Sequence, residues 1–125
     1  MSEIKEVLNY FRMLPKYKGY HYLYDAIEMC REYPEYLTQI TKTIYPQLAL
    51  KHHVTAWSVE RNIRTAIDIS WKQDRHRFEE GEKSRYNQFF DYNVIMRPSN
   101  AAFISTVVVH LEKQGTCLLY TSRCV

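Results

Sequence analysis

Val54-Thr-Ala-Trp-Ser-Val-Glu-Arg-Asn-Ile-Arg-Thr-Ala-Ile-Asp-Ile-Ser-Trp71 decides the fold. Val59, Ile63, Ala66, Ile67 and then Ile69 or Ser70 recur at helical spacing, which predicts an amphipathic helix from about Ala56 to Trp71. Thr55 suits its N-cap, because a threonine hydroxyl accepts from an orphan N–H of the first turn. The opposite face opens with Glu60, Arg61 and Arg64. Two arginines three residues apart share a face and can reach guanine edges in a major groove. Upstream, Pro46-Gln-Leu-Ala-Leu-Lys-His-His53 predicts a short helix with the small Ala49 where two helices approach. Helix, tight turn and arginine-bearing helix together predict a helix-turn-helix, a candidate for DNA binding.

Outward from that stretch, other helices follow the same period. Ile4, Val7, Leu8, Phe11 and Leu14 predict a first helix closed by Pro15, with Lys16 to Gly19 as a basic connector. Tyr20, Leu23, Ala26, Ile27 and Cys30 predict a second, ended before Pro34. Leu37, Ile40, Ile44 and Tyr45 predict a helical segment leading into Pro46, a residue suited to a first turn. After Trp71, the alternating charges of Lys72 to Arg85 predict a solvated linker. Phe89, Phe90, Tyr92 and Val94 form a short apolar element. Pro98-Ser-Asn100 opens the last helix, with Phe103, Val107, His110 and Leu111 on one stripe. The expected fold is all-α, a compact bundle of about six helices.

Composition narrows the function classes. Hydrophobic residues at 46% supply a packed core, so disorder is not expected. No apolar run is long enough for a bilayer and no signal-peptide h-region opens the chain, so the cytoplasm is the expected compartment and no membrane contact is expected. Three cysteines in that compartment read as thiols, with Cys30 a small hydrophobe. The net charge of +3 permits nucleic-acid binding without requiring it. Adjacent His52 and His53 diverge on a helix and no thiolate or carboxylate completes a tetrahedral set, so no metal is expected. No nucleophile–base pair or Gly-rich phosphate loop points to an enzyme, and no cofactor is expected. Tyr17, Tyr20, Tyr22 and Tyr24 read as core packing with hydroxyls at the rim.

Residues 117–125, Cys-Leu-Leu-Tyr-Thr-Ser-Arg-Cys-Val, read as foreign. They match translation of a junction between two inverted transposon mosaic ends, followed by a stop codon. The expected division is therefore a domain over 1–116 and a read-through tail over 117–125.

Residues spread over these helices carry a resemblance. Lys18-Gly-Tyr-His-Tyr-Leu-Tyr-Asp-Ala-Ile27, Ile40-Thr-Lys-Thr-Ile-Tyr-Pro46, Val59-Glu-Arg-Asn-Ile-Arg64 with Ala66-Ile67, Trp71, and Pro98-Ser-Asn100 with Phe103-Ile104 resemble the C-terminal effector domain of the sporulation-initiation response regulator, the stage 0 sporulation protein A family. The resemblance implies an all-helical regulator of transcription that binds a T-G-T-C-G-A-A-like box in double-stranded DNA. It implies base reading by Arg61 and Arg64 with Glu60 beside them. Thr55, Trp57, Ser58, Lys51 and Thr65 are expected at the backbone or groove edge. The sigma subunit of RNA polymerase and a tandem dimer on adjacent boxes are the implied partners. Trp57 and Ser58 stand where the family has a Ser-Arg pair, and the Lys72–Arg85 stretch is longer and more charged than the family's polymerase-contacting loop. No receiver domain precedes Ser2, so a stand-alone regulator or a fragment, free of phosphorylation control, is expected. The alternative expectation is an interaction module that pairs with a full-length regulator or polymerase without reading DNA.

Overall fold

Six α-helices and no strand make up the described residues of the computed structural model, which describes the backbone of residues 2–124 and the side chains of 2–113. The expected tail, 117–125, lies outside the residues whose side chains are described. Helix α1 spans Glu3–Tyr10, α2 Lys18–Glu32, α3 Tyr45–His52, α4 Ala56–Glu79, α5 Arg85–Phe90 and α6 Asn100–Cys124. The all-α expectation holds.

Helix α1 stops earlier than its apolar period predicts. Arg12 takes φ 62° and turns the chain before Pro15 is reached. A tertiary contact overrides the local pattern here: the buried Ser70 hydroxyl on α4 donates to the Phe11 carbonyl at 2.6 Å. Arg12 itself lies 3.7 Å from Asp74 of α4. Phe11 then packs into a ring cluster, with centroids 4.6 Å from Tyr86, 5.0 Å from Phe89 and 5.1 Å from Phe103.

Helix α2 begins at Lys18, so Lys18 and Gly19 lie in its first turn and not in a connector. A Cβ on Gly19 would overlap the Asn62 carbonyl of α4 and come 2.8 Å from the Ala66 Cβ. Glycine is required because α2 lies directly on the α4 backbone. Beyond it, Tyr20, Tyr22, Leu23, Ala26, Ile27 and Cys30 are buried, and burial pushes the Cys30 thiol up to about 11. The segment after Pro34 is broken at Gln39 into a 3-10 turn, Pro34–Thr38, and a π-helical turn, Ile40–Ile44, that feeds α3. Pro46 sits in the first turn of α3 as its fixed φ favours.

The largest departure from the sequence pattern is in Lys72–Arg85. Most of it is helix: α4 runs on to Glu79, and only residues 80–84 form a connection. The charges are paired along the helix, Lys72 with Asp68 at 3.0 Å and His76 with Glu80 at 3.6 Å. Asp74 is 2% exposed and accepts from the Ser84 hydroxyl at 2.6 Å and the Arg85 N–H at 2.8 Å. Ser84 also caps α5 by accepting from Asn87 N–H. Arg75 lies over the Trp71 and Phe78 rings and donates to the Val94 carbonyl at 2.8 Å. Tyr86, fully buried, donates to Ser70 at 2.8 Å, so α5, α4 and the end of α1 share one hydrogen-bonded chain. The last helix buries Phe103, Ile104, Val107, Val108 and Leu111 against this core.

Gly19→Ala is expected to cost about 1–3 kcal/mol, because the overlapped atom is backbone and cannot rotate away. A lowered urea midpoint at unchanged slope is the readout. Burial also pushes the Tyr86 phenol well above its ordinary value of 10.0. Unfolded phenols ionise near that value while Tyr86 stays neutral in the fold. Its contribution is therefore complete below about pH 10 and is lost as pH rises above it. Urea midpoints between about pH 9 and 11 should fall, and less steeply in Tyr86→Phe.

Candidate nucleic-acid interface

The interface is built on α3, the turn His53-Val54-Thr55 and the first half of α4. Helix α3 ends in His53 at φ 57°, ψ 45°, a left-handed cap that redirects the chain within three residues. The Thr55 hydroxyl then accepts from the Ser58 N–H at 3.0 Å and starts α4, as the sequence predicts. Val59, Ile63, Ala66 and Ile67 are buried, and Ser70 rather than Ile69 completes the inner face.

The outer face carries Trp57, Arg61, Arg64 and Thr65, all exposed, with Glu60 half-buried beside them. Trp57 is 64% exposed, and the Arg61 guanidinium carbon lies 5.0 Å from its ring centroid. A guanidinium at that distance is attracted by the ring quadrupole. Trp57 therefore supplies a platform for that cation at the helix mouth. Arg64 is held differently, its Nε 3.4 Å from Glu60 Oε2. That same carboxylate oxygen accepts from Asn100 Nδ2 at 3.3 Å. Farther along the helix, Asp68 pairs with Lys72 and lies 3.9 Å from Arg97, so the cationic part of the face is its N-terminal half.

The expected edge residues divide. Thr65 lies on the outer face. The Thr55 hydroxyl is engaged in capping, and the Ser58 hydroxyl and carbonyl both accept from Asn62 Nδ2, at 3.3 and 2.7 Å. Lys51, 60% exposed in its side chain, reaches Asp25 Oδ2 at 3.1 Å, where His52 Nε2 also lies at 2.7 Å. Asp25 thus ties α2 to the end of α3, a role the sequence reading missed. The sequence marks Asn100 only as a helix start, although its amide reaches Glu60 of α4. Neither role has a local sequence signal, since each partner lies 27 or 40 residues away. Among the described residues no group of three or more His, Cys, Asp or Glu could hold a metal ion. Nor is any helix there long and apolar enough to cross a membrane.

A short helix, a three-residue turn and a longer helix with two arginines on its solvent face fit the helix-turn-helix class of DNA-binding domain. Residues 4–111 match the family model of the sporulation initiation factor Spo0A C terminal, and the chain belongs to that family. The match runs from α1 into α6 and includes both helices of the motif. DNA binding and the regulation of transcription in sporulation follow from that membership.

The left-handed cap gives the turn a test. A β-branched residue is strained at positive φ, whereas glycine is not. His53→Val should lose about 1–3 kcal/mol, and His53→Gly should match or exceed the parent in thermal melts. Equal melting of the two variants would contradict the cap.

Proposed function

We propose that the domain regulates transcription by reading a short promoter box, with α4 lying in the major groove of double-stranded DNA. The observation that carries this reading is the pair Arg61 and Arg64, exposed on one face and each held by its own neighbour, Trp57 and Glu60. An arginine bonds guanine O6 and N7 through two parallel N–H groups, and a guanidinium already oriented loses less freedom in doing so. Glu60 stands beside Arg64, and Oε1 is the oxygen through which it accepts from a cytosine amino group. Trp57 and Thr65 lie against the groove edge. Lys51 supplies charge for a phosphate, shared with Asp25 in the free domain. Thr55 and Ser58 fix the first turn, whose free N–H groups form the positive end of the helix dipole and suit a phosphate oxygen.

The proposed protein partner is the sigma subunit of RNA polymerase. Its support is the connection between α5 and α6, where Tyr92, Ile95 and Met96 are exposed, Ile95 by 81% and Met96 by 74%. Exposed apolar side chains gathered on one short connection suit a protein partner. Adjacent boxes would hold tandem copies of the domain, since half-site spacing sets how neighbouring copies sit on a duplex.

Arg61→Ala and Arg64→Ala should each cost about 1–3 kcal/mol of discrimination between a boxed and a scrambled duplex, with non-specific binding retained. Lys51→Ala should weaken both duplexes alike and lower the salt slope by about one. Anisotropy titrations at several salt concentrations separate these effects. Equal affinity of the unaltered domain for both duplexes at physiological salt would overturn the reading.

A further inference from the structure

We infer that Asn100 is a positioning residue for base recognition, holding the Arg64 guanidinium in place through Glu60. The inference rests on the reading of α4 as the recognition helix. Asn100 is the first residue of α6 and is 7% exposed. Its Nδ2 lies 3.1 Å from the Tyr45 hydroxyl, 3.1 Å from the Glu60 carbonyl and 3.3 Å from Glu60 Oε2. A carbonyl and a carboxylate oxygen only accept, so the amide can face them only through its nitrogen. Two hydrogens serve three acceptors, and one of them is shared. One buried amide thereby joins the start of α3, the first half of α4 and the start of α6.

The chain of contacts ends on Arg64. Glu60 Oε2 faces Arg64 Nε at 3.4 Å, which leaves both terminal nitrogens of the guanidinium for a base edge. An exposed ion pair at i,i+4 is weak and mobile when nothing else holds it. Here the carboxylate is anchored from beneath by a buried donor, so the acceptor stays where the arginine needs it. Asn100 Oδ1 is buried with no hydrogen-bond partner. An unpaired buried acceptor is destabilising, and a side chain that only filled space would not carry it. The amide is placed for what its nitrogen holds.

Asn100→Asp preserves shape and turns the donor into an oxygen facing the Glu60 carboxylate. The full chain is titrated with boxed and scrambled duplexes, and the Arg64 Nε–Hε NMR signal is followed in the free protein. The expected result is a loss of box preference of roughly tenfold, the scale of one hydrogen bond to a charged group, with scrambled binding unchanged. In an Arg64→Ala background the loss from Asn100→Asp should shrink to the share that Glu60 itself reads. In the free protein the Arg64 signal should move to the position of an unpaired arginine. Tyr45→Phe removes another Nδ2 partner but keeps Glu60, so it should lower stability and leave preference intact. If Asn100→Asp does not fold, Asn100→Ala removes the donor without placing a second acidic group beside Glu60, and the same signal should move. An equal fall in both duplexes, an undiminished loss in the Arg64→Ala background, or an unmoved Arg64 signal would each overturn the inference. A parent chain with no box preference would instead overturn the base-reading proposal itself, and the free-protein signal separates the two failures.

Discussion

The contact between Gly19 and the Asn62 carbonyl sets the position of everything that faces outward. It brings the first turn of α2 onto the backbone of α4 with no side chain between them. Asn62 lies between Arg61 and Arg64 in sequence, on the inner side of the same helical turn. Its backbone meets Gly19 while its side-chain amide donates to Ser58 one turn earlier. A helix seated through backbone contact has no long side chain on which to shift. The outer face of that turn is therefore as well placed as the fold itself, the condition that the proposed base reading sets, where geometry counts to a fraction of an ångström.

The rest of α4 acts as an anchor for that seat. Ser70 and Asp74 project from the inner side of α4 at i,i+4 and are nearly as buried as the core. Ser70 joins the end of α1 to Tyr86, and Asp74 joins the start of α5 through Ser84 and Arg85. Buried polar groups of this kind are stabilising only when satisfied, and a satisfied network specifies one arrangement of its helices. One continuous helix thus presents arginines at one end and is clamped by hydroxyl and carboxylate bonds at the other. Rotation of α4 about its axis would break the clamp.

What the sequence made legible follows the range of the interactions involved. The Thr55 cap, the Val59–Ile67 stripe and the Arg61–Arg64 face are consequences of spacing within two turns, and periodicity reports them. The apolar stripes of α2 and α6 are legible for the same reason. The early end of α1 is not, because the carbonyl it leaves free is satisfied by Ser70, 59 residues away. Helix through Glu79 is hidden for a related reason: its charges look like a solvated run until Asp74 meets Ser84 across a turn. Trp57 and Arg61 are four residues apart, so their stacking could have been read from spacing once α4 was assigned. The link from Asn100 to Glu60 spans 40 residues and has no local signature.

The two arginines are held by forces of different range, and this shapes how the face responds to its surroundings. Arg64 is paired with a carboxylate, an attraction that mobile ions weaken over a Debye length of about 10 Å at 0.1 M salt. Arg61 rests on a ring quadrupole, whose field is short-ranged and strengthens as water is excluded. In the proposed binding mode phosphates would compete with Glu60 for Arg64, whereas Trp57 carries no charge to be outcompeted. The Asn100 amide offsets that asymmetry by fixing Glu60 from the protein side, so that in the proposed binding mode both guanidiniums meet the groove already oriented. A tryptophan beside one arginine and a buried asparagine beneath the other are different solutions to the same entropic problem.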